Sequence, residues 1–323
     1  MPVTIVDIAQ KADVSISTVS NVINGRKNVG IRTRRRVLKI CEELNYVPNI
    51  MGKSLRVTRT KSILFNFSDF DRSFYLKIIE GINECAKEHD YDLFICTTRS
   101  CEKHLHTNLT DGAIILDSRM KNETLIRAAN EKYPVIVLDR HIFQPFFQNI
   151  TVNNYDPMKE MVQSLVAAGR AKFAFVAGLE HTDDTRERRA AFLDALAENG
   201  LVFSDGSYFS GDYREASGYN AAKTLAEQNN IPDALVCAND NMAIGAIKAL
   251  REHGIPVGAA GVAVTGFDDT EAAENIGLTT VAIPNYERGY CAAKALIANI
   301  EGQNDYRPIT IQAEIKWRAS ALR

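Results

Sequence analysis

The chain has 323 residues, 46% of them hydrophobic and 24% charged, which excludes a disordered, collagenous or disulfide-stapled protein and, at about 150 residues per domain, predicts about two domains. No apolar run reaches the ~18 residues of a membrane span. The start MPVTIVDIAQK lacks the basic-then-apolar pattern of a signal peptide, so a cytoplasmic protein is expected. The formal net charge of −2 is unevenly spread: residues 1–62 carry 12 Lys/Arg against 4 Asp/Glu (net +8), leaving 26 against 36 (net −10) for residues 63–323. A basic head on an acidic body suits a nucleic-acid-binding module, because phosphate neutralisation needs a local density of Lys and Arg.

The head reads as three short helices. Thr4-Ile5-Val6-Asp7 fits a helix start, with the hydroxyl capping free amides and the carboxylate facing the positive end of the helix dipole. That helix runs to about Lys11, Ala12-Asp13-Val14 turns, and Ser15 to Asn24 forms a second helix closed by Asn24-Gly25. Ile5, Ile8, Ala9, Val14, Val19, Val22 and Ile23 fall on facing sides of the two helices, which leaves Ser15, Ile16, Ser17, Ser20 and Asn21 outward. A third helix is predicted over about Arg32 to Leu44, with Val37, Leu38, Cys41 and Leu44 inward. A second helix with a small polar outer face, set steeply against the first, is helix-turn-helix geometry, whose second helix fits the major groove.

These residues carry a resemblance. TIVDIAQKADVSISTVSNVING, then RRRVLKICEELNYVPN and KSL, resemble the DNA-binding head and hinge of the LacI/GalR family of bacterial transcription regulators. The resemblance continues through PVIVLDR, the stretch from Arg188 to Phe192, ALVCANDNMAIGA and VTGFDDTEAA, so it covers nearly the whole chain. It implies a helix-turn-helix domain over 1–47, a hinge over 48–61 and a two-lobed effector-binding and dimerisation domain over 62–323. The fold class it implies is an N-terminal all-α helix-turn-helix head plus an α/β periplasmic-binding-protein-like body with two doubly wound parallel-sheet lobes. The implied protein is a homodimer that reads a pseudo-palindromic double-stranded DNA operator and changes affinity when a small sugar or sugar derivative binds. No cofactor is implied.

Thr4, Ser15, Ile16, Ser17, Ser20, Asn21, Asn24 and Thr33 are the candidate DNA contacts of the head. Lys53, Leu55 and Arg56 are those of the hinge, where Leu55 matches a leucine that wedges into the minor groove and kinks a pyrimidine–purine step. Four positions of the head and hinge depart from the family. Asn21 stands where arginine is usual, and asparagine pairs with adenine whereas arginine favours guanine. Asp13 replaces a turn glycine, and Asp tolerates positive φ. Gly30 removes a serine cap from the third helix, and Gly52 lowers helix propensity in the hinge by up to about 1 kcal/mol.

The body alternates β-rich runs (Ile63 to Phe67, Asp92 to Cys96, Ala113 to Leu116, Val135 to Leu138) with helical stretches over 73–89 and 121–130. The alternation restarts at Phe173 to Ala177, Ala234 to Cys237 and Val262 to Thr265, with helices near 184–199, 214–229 and 240–253. Such alternation predicts parallel sheets, and the family implies crossings between lobes near 155, near 285 and close to the C-terminus. Ligands of such sheets sit beyond the strands' carboxyl ends, where Ser68, Asp69, Arg72, Phe74, Asp139, Arg188, Tyr213, Asn239 and Asp268 are the candidate effector residues. Asp and Asn at strand ends also commonly cap helices. Arg72 stands in place of a common family residue and, facing Arg188, would favour an anionic sugar derivative, because arginine forks match phosphate and carboxylate.

The sequence leaves two other chemistries open. Cys96, Cys101, His104 and His106 offer four metal-ligating side chains within eleven residues, the basis of a metal-responsive alternative. A cytoplasmic sugar-binding protein without regulation is the other alternative. The chain has no G-x-S-x-G, P-loop, H-E-x-x-H or G-x-G-x-x-G signature, so no enzyme is expected.

Overall fold

The computed structural model describes residues 3–26, 28–46, 59–68, 74–105, 107 and 109–321. The chain divides into two compact units, residues 1–60 and 61–323.

In the first unit, α1 (Ile5–Lys11) opens with a reciprocal capping box between Thr4 and Asp7. The turn residue Asp13 takes φ +48°, the left-handed conformation that Asp tolerates. Ser15 caps α2 (Ile16–Ile23) by accepting from the Thr18 amide at 3.1 Å, and α3 spans Ile31–Glu43 with no side-chain cap at Gly30. Ile8, Ala9, Ala12, Val19, Val22, Val37 and Ile40 form the core, with Ile5, Val14, Ile23, Cys41 and Leu44 packed against it. Leu38 corrects the expected inward set: it is 49% exposed. Three- and four-residue steps from Val37 lead to Ile40, Cys41 and Leu44, while Leu38 is turned about 100° away.

The second unit is α/β with two lobes. In the first, β1 (Ser62–Phe67), β2 (Asp92–Thr97), β3 (Ala113–Leu116), β4 (Val135–Leu138), β5 (Phe147–Val152) and β11 (Ile309–Ile311) form a six-stranded sheet ordered β11-β5-β4-β3-β1-β2. Every pairing in it is parallel. β1, β3 and β4 are continuously buried, and β3 and β4 are wholly apolar, as expected of strands covered on both faces. The covering helices are α4 (Tyr75–Glu88), α5 (Thr98–His104), α6 (Asn122–Ala128) and α12 (Asn285–Ile300).

The second lobe has a parallel sheet ordered β7-β6-β8-β9, from β6 (Phe173–Val176), β7 (Tyr208–Phe209), β8 (Ala234–Cys237) and β9 (Ala263–Thr265). Around it lie α7 (Tyr155–Ala167), α8 (Asp183–Glu198), α9 (Glu215–Glu227), α10 (Asp240–Glu252) and α11 (Glu271–Asn275). The antiparallel pair of β10 (Thr280–Ala282) and β12 (Glu314–Lys316) completes it. Each lobe keeps its own apolar core. The chain passes between them at 152–155, 282–285 and 311–314. Both main sheets place their first strand between the second and the third, a strand order that opens a crevice at the carboxyl ends. Among the described residues no helix is long and apolar enough to cross a membrane.

Candidate functional site

The carboxyl ends of the strands of both lobes line a cleft of about 390 Å³. Ser68, Phe74, Asp117, Asp139 and Arg140 line it from the first lobe, and Asp183, Asp184, Arg188, Tyr213, Asn239 and Asp268 from the second. Ile283 lies in the second crossing and Arg288 follows it.

Arg188 is held from several sides in the cleft. It projects from α8 with its guanidinium stacked on the Phe267 ring, 3.7 Å from the centroid. Nε donates to Asn154 Oδ1 at 3.0 Å and Nη1 to the Ala238 carbonyl at 2.6 Å, while Nη2 lies 4.0 Å from Asp184 Oδ2. A fork held on two sides by neutral acceptors and on one face by a ring is fixed in direction before any ligand arrives.

Tyr213, at φ +67°, donates its hydroxyl proton to Asp184 Oδ2 at 2.7 Å and stands 2.6 Å from Thr185 Oγ1. Burial, reinforced by the Asp184 charge, pushes this phenol far above its ordinary value, so it remains a neutral donor. Its ring lies so close to Gly178 that a Cβ there would sit 2.1 Å from it.

Asn239 behaves mainly as a cap: Oδ1 accepts from the Met242 amide at 3.1 Å, and Nδ2 donates to the Tyr213 carbonyl at 3.0 Å. Asp139 and Asp268 both adopt positive φ, +54° and +117°, where their strands turn into the cleft. Arg140 donates to the Met120 carbonyl at 2.8 Å, to Asn122 Oδ1 at 3.0 Å and to the Asp117 carbonyl, which pins the loops after β3 and β4 together. His141 and Asp183 meet across the two lobes at 3.5 Å.

Of the nine expected effector residues, the structure brings seven to this cleft; Asp69 and Arg72 lie outside the described residues. In the head, Thr4, Ser15, Ile16, Ser17 and Asn24 are exposed, and Ser20, Asn21 and Thr33 are half-buried. Lys53, Leu55 and Arg56 lie outside the described residues. Cys101 is buried in the first-lobe core and Cys96 packs against it, whereas His104 is exposed and His106 lies outside the described residues. Among the described residues no group of three or more His, Cys, Asp or Glu is placed to hold a metal ion.

Sequence reasoning missed Arg288, Asn154 and Asp184. Arg288 had a signal: with Ala292 and Leu296 four and eight residues on, it stands on the apolar stripe of α12, where a charge needs a reason. Its Nη2 lies 2.7 Å from Asp139 Oδ1, and it is 1% exposed.

The model of the lacI family of bacterial regulatory proteins matches residues 4–49, and a periplasmic binding protein-like domain matches residues 162–321. Catabolite control protein A of Priestia megaterium is 30% identical over 331 residues, covering 99% of each chain. The chain belongs to the lacI family. It is thus a DNA-binding transcriptional regulator rather than an enzyme, and its fold is the head and two-lobed body expected from sequence. Among solved lacI-family structures, the Lac repressor dimer bound to operator and the anti-inducer ONPF superposes with a TM-score of 0.81 at 27% identity, covering 100% of both chains. The regulator CelR in complex with cellobiose gives a TM-score of 0.74 at 26% identity, covering 98% of this chain and 99% of its own.

Proposed function

We propose that this lacI-family regulator is a cytoplasmic repressor that binds a pseudo-palindromic operator as a homodimer and releases or tightens on it when a small sugar-like effector fills the cleft. The observation that carries the effector reading is the pairing of charge along the cleft: Arg188 with Asp184, Arg288 with Asp139, and Arg186 with Asp183. Alternating guanidinium donors and carboxylate acceptors suit hydroxyl groups, which donate and accept at once. The related structures support the same reading, one being a dimer on operator and the other a cellobiose complex.

DNA reading is assigned to the outward face of α2 (Ser15, Ile16, Ser17, Ser20, Asn21 and Asn24), with Thr4 and Thr33 on backbone phosphates. Asn21 is expected to select adenine. Leu55 is assigned to the central kink, and Lys53 and Arg56 to phosphates. An anionic effector was expected from Arg72, which lies outside the described residues. The metal-responsive reading finds no ligand group among the described residues, and the lacI-family head speaks against a sugar-binding protein without regulation.

The test is in vitro selection of random DNA by the full-length protein at near-physiological salt, with and without added sugars. Enrichment of a palindrome with a pyrimidine–purine centre, altered by a sugar, is the expected result. Enrichment of nothing under either condition overturns the regulator reading for this chain.

A further inference from the structure

Arg288 is a buried guanidinium with unmet donors. Among the described residues, neither its Nε nor its Nη2 donates a hydrogen bond; the 2.7 Å approach of Nη2 to Asp139 Oδ1 is an ion pair off the N–H directions. The side chain is 1% exposed on the wall of the cleft, and a buried donor left unmet is costly. Its place is held from behind. Gly289, the next residue, packs so tightly on α4 that a Cβ there would sit 2.1 Å from the Ile78 carbonyl oxygen, and Gly81 of α4 abuts the Tyr286 carbonyl in the same way. Arg288 therefore has little room to swing out of the cleft that it lines.

We infer that Arg288 and Asp139 together form an effector-binding diad that reads a hydroxyl-bearing edge of a neutral sugar. This rests on the sugar reading of the cleft and names the class of sugar. The Nε and Nη2 donors offer a side-on edge that takes two oxygen acceptors. A carboxylate would match that edge in shape, but it would also bring its charge within a few ångströms of the Asp139 carboxylate, and like charges at such range repel strongly in a low-dielectric site. A pair of adjacent hydroxyls has no such conflict: their oxygens accept from Arg288, and one of their protons goes to the quarter-exposed carboxylate of Asp139. The two protein charges remain balanced against each other, and every donor gains a partner. The diad thus selects by satisfaction of buried polar groups, the mechanism that gives hydroxyl-reading sites their large discrimination.

The experiment is isothermal titration of the full-length protein with neutral aldohexoses, aldopentoses and their disaccharides, alongside the uronic acid and the sugar phosphate of each. At least one neutral sugar is expected to bind, with its uronic acid and phosphate at least about 10-fold weaker. Arg288→Met should weaken the neutral sugar by about 10- to 100-fold, the range expected for hydrogen bonds to a charged group. A monodeoxy analogue lacking one contacted hydroxyl should show a smaller difference between wild type and Arg288→Met than the parent sugar does. Arg288→Lys, which keeps the charge and loses the fork, serves if the methionine variant does not fold, and should show a loss of the same sign.

A neutral sugar whose affinity changes less than twofold in the folded variants overturns the diad and leaves the sugar cleft standing. An acid or phosphate that binds more tightly than its neutral parent overturns the choice of ligand class. If no member of the panel binds wild type, the sugar reading falls, and the diad with it.

Discussion

Tyr213 shows how far one side chain in the cleft is already committed. Its hydroxyl gives its proton to Asp184 and sits within hydrogen-bond distance of Thr185, and Thr182 Oγ1 lies 3.2 Å away. The hydroxyl is thereby committed to its protein neighbours, and it holds Asp184, whose Oδ2 lies 4.0 Å from Arg188 Nη2. Tyr213→Phe should therefore lower stability by about 1–3 kcal/mol, the cost of removing one hydrogen bond from a partly buried carboxylate and one from the Thr185 hydroxyl. Thermal or urea melts of the variant check this; an unchanged melt would mean that water takes the place of the phenol. Tyr213 and Asn239 were both visible in the sequence as cleft residues, yet the sequence could not tell a contact group from a supporting one. That distinction depends on hydrogen bonds to Asp184, Met242 and the Tyr213 carbonyl, which are set by packing between elements far apart in the chain.

At the level of elements, the start of α10 ties several pieces of the second lobe together. Asp240 is fully buried; its Oδ1 accepts from Thr280 Oγ1 on β10 at 2.5 Å, and its Oδ2 accepts from the Thr270 amide at 2.7 Å. Burial outweighs those hydrogen bonds and pushes its carboxyl up to about 6 from 3.8. The folded protein thus holds this proton more tightly than the unfolded chain does. The resulting stability is fully present below about pH 3.8 and is lost as pH rises through about 6, amounting to about 3 kcal/mol for a shift of this size. Urea titrations of wild type and Asp240→Asn at several pH values should show the wild type losing ground to the variant between about pH 4 and pH 6.5, against the usual direction for an aspartate; a constant difference would place the carboxyl at its ordinary value. The strands were the most legible elements, since Ala113–Leu116, Val135–Leu138 and Ala234–Cys237 are uninterrupted apolar runs. β7 and β10 to β12, of two or three residues, carry too little pattern to be read alone.

For the molecule as a whole, the two lobes have separate cores and communicate through three crossings and the cleft between them, which is the architecture of a two-state device. Asn154, at the first crossing, joins the two routes. Its Oδ1 accepts from Arg188 Nε at 3.0 Å, while its Nδ2 donates to the Val152 carbonyl at 3.1 Å and to Glu187 Oε2 at 3.0 Å. A ligand that pulls on Arg188 therefore acts on the backbone of the crossing without an intermediate residue. Coupling between two sites requires that each bias the same element, and a crossing residue hydrogen-bonded to the Arg188 guanidinium in the cleft meets that requirement. Asn154→Ala would cut the link and leave both the guanidinium and its stacking on Phe267 in place. The ratio of operator affinities with and without saturating effector, commonly about 5- to 150-fold in coupled systems, should collapse toward one in this variant. Effector affinity itself should fall by less, because the Ala238 carbonyl and the Asp184 carboxylate still orient Arg188. Fluorescence anisotropy on labelled operator, with the effector titrated separately by calorimetry, distinguishes the two quantities. Equal losses in both would make Asn154 a support of the binding site alone and move the coupling to the second and third crossings.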